Sequence, residues 1–176
     1  MPSPIQPSDA PPTDALTFRE LLHYTAAETA HWHRWLAHGR GRLLDLPAGE
    51  GRTATVRGLL QHIFAVERRY ADRLLGDPVA PYEAIGTRDV DTLFAAGDEA
   101  RRRLERYLAG ATAADLARRL EFQTLSAGTQ SASARKIVGH VLVHGIRHWA
   151  QLATVLRQHG DATDWMHDIL MSDALA

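Results

Sequence analysis

The chain has 176 residues, 45% of them apolar and 23% charged, with a formal net charge of −1. That length carries a sizeable core, the composition is that of an ordinary globular protein, and the charge balance gives no global field toward nucleic acid or an acidic membrane. There is no cysteine, which excludes disulfides, zinc ribbons, iron–sulfur clusters and cysteine nucleophiles, and no apolar run is long enough for a transmembrane helix.

Residues 1–14 are rich in Pro, Ser and Asp and lack the charged-then-apolar pattern of a signal peptide. They read as a disordered arm ahead of one domain over residues 15–176. The absence of cysteine fits a reducing, cytoplasmic setting. Lys136 is the sole lysine among many arginines, and with abundant Ala and Gly this bias fits a GC-rich bacterial genome.

Thr17-Phe18-Arg19-Glu20 has the form of a capping box, with Leu16 and Leu21 as a hydrophobic staple, and opens a helix running to Ala37. Gly39, Gly41, Pro47, Gly49 and Gly51 then mark a long loop. A second helix spans Thr55 to Leu75, with Leu59, Ile63, Val66, Tyr70 and Leu74 as its apolar stripe. Gly76, Pro78 and Pro81 end it. Asp89 N-caps a third helix over Val90 to Leu108, with Leu93, Ala96, Ala100, Leu104 and Leu108 as its stripe and Arg101 to Arg103 beside it. A short helix after Thr112, an extended segment from Leu120 to Leu125 and a loop at Gly128 follow. The fourth long helix spans Ala132 to Gln158, with the stripe Ile137, Val141, Leu152 and Val155. A last short helix is expected over Thr163 to Leu170. The fold class is all-α, a four-helix bundle with long loop connections.

Ten histidines are the unusual count. His140, His144 and His148 recur every fourth residue, one turn apart on one helix face. At this histidine frequency about 0.6 HxxxH pairs, and about 0.03 runs of three, arise by chance. His144 and His148 fall on core positions of the fourth helix, and His140 lies to one side. His62, three after Leu59 and four before Val66, leans to the core of the second helix. His62, His144 and His148 should therefore converge. A buried imidazole without a partner costs a few kcal/mol, so the trio needs either protein hydrogen-bond partners or a metal ion. Three imidazoles leave coordination positions open, as in catalytic rather than structural sites, where an ion activates water or a thiol. Imidazole ligands suit zinc, nickel, copper or iron.

Other constellations are weaker. Glu20–His23 and Glu28–His31 are both ExxH, but they share one helix, unlike a di-iron bundle. No G-x-S-x-G elbow, G-x-G-x-x-G or Walker motif occurs. Glu67 reads as one member of a weak surface pair with Arg69, Arg73 or an arginine of another helix. Trp32, Trp35 and Trp149 read as packing residues.

The run from Leu59 through His62 to Leu74, and His144-Gly145-Ile146-Arg147-His148-Trp149-Ala150-Gln151-Leu152, resemble the second and last helices of the DinB family, in which a separated His joins an HxxxHxxQ motif. Tyr24 to Thr29 and the tryptophans of the first helix are also similar. The Trp149-Ala150 pair departs from the basic pair that many members carry there. The resemblance implies a DinB/YfiT-like bundle, often a homodimer, with a divalent metal on His62, His144 and His148; His140 is not among the family's ligands. It further implies zinc or nickel, with iron or manganese as alternatives, and a small electrophilic substrate. A low-molecular-weight thiol is the implied co-substrate of an S-transferase, and hydrolysis is the other reaction. A non-catalytic metal-binding or small-molecule-sensing bundle is the alternative. Neither nucleic acid nor a membrane is an expected partner.

Overall fold

The computed structural model describes residues 15–124 and 127–175; the arm read over residues 1–14 lies outside them. Helix α1 (Phe18–Ala37) opens on the expected box: Thr17 Oγ1 accepts from the Glu20 N–H at 3.2 Å, and the Thr17 N–H donates to Glu20 Oε2 at 2.7 Å. These bonds from Thr17 hold the Glu20 carboxyl below its ordinary pKa. Leu16 is 54% exposed, so no staple forms with Leu21. Thr55 caps α2 (Val56–Leu75), and Gly76, at φ +76°, stops it in the left-handed conformation that glycine tolerates. Asp89 caps α3 (Val90–Gly110), and a Thr112–Asp115 box opens the short α4 (Ala113–Ala117).

The connection from α4 to the last long helix differs from expectation. Strand β1 (Arg119–Thr124) pairs antiparallel with β2 (Gly128–Ser133), Leu120 opposite Ala132 and Phe122 opposite Gln130. The expected extended segment is β1, but the expected loop at Gly128 is a strand. Helix α5 (Ala134–Gln158) accordingly starts two residues after Ala132, capped by Ser133. The helix expected over Thr163 to Leu170 is absent. Only 3₁₀ turns at Ile169–Met171 and, beyond it, Asp173–Leu175 occur in the tail, whose side chains are bonded to α1. The Trp165 Nε1–H donates to Glu28 Oε2 at 3.2 Å, and His167 Nδ1 bonds Glu28 Oε1.

Helices α1 and α2 each pack against both α3 and α5, completing the bundle. The core has two apolar clusters. One gathers Trp32, Leu36, Leu60, Phe64, Phe94, Trp149 and Leu152; the other gathers Leu22, Ala71, Leu104, Ile137 and Val141. The α2 stripe is half right. Leu59, Ile63 and Leu74 are buried, while Val66 and Tyr70 are half-buried on a cavity wall. On α5, Leu156 rather than Val155 is fully buried. At Gly97 the two helices α2 and α3 approach closely: an added Cβ would sit 2.5 Å from the Phe64 ring.

Between the clusters lies a polar layer. Arg101 donates to both Glu67 oxygens at 3.2 Å, and both residues are buried. Glu67 thus pairs with another helix's arginine, as one of the expected alternatives had it, but not at the surface. Its position inward of the α2 stripe faces α3, where desolvation offsets the attraction within the pair but makes the loss of either partner costly. Among the described residues no helix is long and apolar enough to cross a membrane.

Candidate metal site

Helix α2 supplies His62, and α5 supplies His144 and His148 one turn apart. Their ligand nitrogens all lie within 4.8 Å of one another, so the trio could hold a metal ion. The Nε2 atoms of His62 and His144 are 3.0 Å apart. Two ligands about 2.0–2.1 Å from one cation, at angles between 90° and tetrahedral, are separated by about 2.9–3.4 Å. The observed spacing falls in that range. All three imidazoles are half-buried rather than in the packed core where the stripes put His144 and His148. His62 and His144 are part of a cavity wall.

Protonation favours ligation. Burial, followed by the charge of His148 and then of Arg52, pushes His62 down to about 4. Burial, with His148 and His62 next, pushes His144 down to about 3. Both rings are therefore neutral at pH 7, with a lone pair to offer. The Nδ1 atoms of His62 and His144 are buried without a hydrogen-bond partner among the described residues. An imidazole pair that shares one bond between its Nε2 atoms and has none at Nδ1 is poorly satisfied as a purely structural element. A cation would take both Nε2 lone pairs in place of that bond, with the proton of each neutral ring then on Nδ1.

His148 is oriented differently. Its Nδ1–H donates to Gln151 Oε1 at 2.9 Å, and the Gln151 amide donates to Ala48 O at 3.5 Å. The second bond sets which end of the amide faces the ring, leaving the His148 Nε2 bare. Such outer partners fix the tautomer of metal-binding histidines. In the sequence Gln151 stood out only through the HxxxHxxQ resemblance; the loop carbonyl that orients it carries no sequence signal.

His62 and His144 line a cavity of about 550 Å³. One wall is the α2 face bearing His62, Val66, Arg69, Tyr70 and Arg73, and the opposite wall includes His140 and His144 of α5. Thr124, Ala127 and Gln130 of the hairpin, and Arg52 and Tyr82 from the loops, complete it. His140 is exposed to this space, its pKa lowered by burial and then by Arg147. It stands beside the trio without joining it. The remaining histidines lie elsewhere. His33 bonds Asp91 at 2.9 Å, and the Glu28–His167 contact was invisible in sequence because its partners are 139 positions apart.

The chain matches the family model described as the DinB superfamily over residues 42–152. That span contains all three histidines and Gln151. No curated protein matches it.

Proposed function

Given that the chain belongs to the DinB superfamily, we propose that it is a metal-dependent enzyme acting on a small electrophile, as an S-transferase using a low-molecular-weight thiol or as a hydrolase. The observation that carries this reading is the convergence of three imidazoles, two of which, His62 and His144, line a substrate-sized cavity. His62, His144 and His148 would hold a divalent ion, with zinc or nickel the leading choices among the metals that imidazole suits. When bound, a divalent cation supplies Lewis-acid activation of a small nucleophile, water or thiol. The chain has no cysteine, so a thiol would come from a small molecule.

The protein's own groups have separate tasks. Gln151 holds the His148 ring so that Nε2 faces inward. Burial keeps His62 and His144 neutral. His140, neutral at pH 7 and facing the cavity, accepts the proton released by the incoming nucleophile at a ring nitrogen.

The test is the metal content of protein purified without a polyhistidine tag. About one divalent ion per chain is expected, as for one three-imidazole site. His62→Ala, His144→Ala and His148→Ala should each remove it. Stoichiometric metal unaffected by these changes, or none at all, overturns the site. A panel of thiol-plus-electrophile assays with and without chelator then tests catalysis, and no chelator-sensitive turnover across the panel would favour a binding role.

A further inference from the structure

The cavity beside the histidines is unbalanced in charge. Arg52, Arg69 and Arg73 line it together with His62, His140 and His144, and no Asp or Glu is on its wall among the described residues. Neighbouring arginines are neutralised. Arg57 pairs with Asp45 at 2.7 Å, Arg68 with Asp72 at 3.0 Å, and Arg103 with Asp72 at 2.7 Å. The three cavity arginines form no carboxylate pair among the described residues.

Their partners hold them in place without cancelling their charge. Arg69 donates to Ala80 O at 2.7 Å; Arg73 donates to Arg69 O at 3.2 Å and to Gln123 O at 2.8 Å. Arg73 also lies 5.0 Å over the Tyr70 ring, and Arg52 lies 5.5 Å over the Tyr82 ring. Burial, then the like charge of Arg69, depresses the Arg73 pKa, with Tyr70 and Asp72 opposing the shift. Neutral imidazoles would not offset a divalent cation either. A cluster of cations with no carboxylate on the cavity wall among the described residues, two of them half-buried, is complementary to an anion, and the guanidinium fork matches carboxylate and phosphate oxygens.

We propose that this cavity binds a small anionic substrate through a carboxylate or phosphate group held by Arg52, Arg69 and Arg73, with its reactive end toward His62 and His144. A volume of about 550 Å³ accommodates one small molecule. The placement of the reactive end rests on the metal reading above; recognition of the anion does not.

Calorimetric titration tests the proposal. The probes are isophthalate, its neutral dimethyl ester and inorganic phosphate, each added to metal-free and to zinc-loaded protein. Isophthalate is expected to bind at least tenfold more tightly than the diester in both forms, and to weaken as salt rises. Arg52→Gln and Arg73→Gln should each weaken isophthalate about tenfold, the worth of one charge-assisted hydrogen bond, with zinc content unchanged. Arg52 sits exposed in the 3₁₀ turn Gly51–Thr53, so Arg52→Gln remains informative if a helix variant fails to fold. Tighter phosphate than isophthalate assigns the phosphate class, and the reverse assigns the carboxylate class. Equal affinity for diacid and diester, or affinity unchanged in both variants, overturns the proposal. Anion discrimination in a protein that takes up no zinc keeps the anion site and removes the metal reading instead.

Discussion

Two imidazoles held neutral in a half-buried position are a liability in acid. His62 and His144 have an ordinary pKa of 6.5 and are pushed down to about 4 and about 3. The unfolded chain therefore takes up protons near pH 6.5, where the metal-free folded protein does not. Depressed native pKa values of this kind contribute stability that is present in full above pH 6.5 and is lost as pH falls toward 4 and 3. Urea unfolding of the metal-free protein between pH 7.5 and pH 4.5 should show a steeper loss than the His62→Leu/His144→Leu double variant. Equal slopes would contradict this account. The same protons compete with metal, so uptake should weaken over this window. Of these residues, His62 was readable from its place between Leu59 and Val66, and His144 and His148 from their four-residue spacing. Their half-burial was not readable, since it depends on a hairpin and two loops closing a cavity around one helix face.

At the scale of the element, the layer formed by Glu67 and Arg101 decides how α2 and α3 meet. The pair lies between the two apolar clusters, and burial pushes the Glu67 carboxyl up while Arg101 opposes that shift. Arg101→Met would strand an acidic group in the core, a loss of about 3–5 kcal/mol. Glu67→Leu combined with Arg101→Met should restore most of it, and denaturant unfolding of the three proteins measures the difference. The helices themselves were legible because their signals are local: Thr17 with Glu20 and Asp89 cap helices where the sequence placed them, and Thr55, read as the first residue of the second helix, is its cap. Strand β2 was not legible. Gly128-Thr129-Gln130-Ser131-Ala132-Ser133 has no apolar alternation, and it becomes a strand through the bonds that β1 offers.

Across the whole molecule, the segment after α5 folds back onto α1 and seals one end of the bundle. Trp165 packs edge-on against Trp32 at 4.9 Å, and His167 stacks on Trp32 at 5.1 Å. Tyr24 Oη donates to the His167 carbonyl at 2.8 Å, and Glu28 takes both Trp165 and His167. No pattern in the tail announced this, because the partners are remote in sequence. Trp165→Ala should cost about 2 kcal/mol, less than a fully buried Trp, and should leave metal content unchanged, since the tail and the cavity involve different faces of α5. A loss of metal in that variant would contradict the separation.

The tail also draws every tryptophan of the chain together. Trp32, Trp35, Trp149 and Trp165 form one array with ring centroids 4.9–6.1 Å apart along its links. At such spacing excitation can pass among the indoles, so a change in the surroundings of Trp165 reaches the whole array. The cavity wall carries tyrosines and no tryptophan among the described residues. Intrinsic emission is therefore an optical gauge of tail docking, since release of Trp165 removes one member of the array.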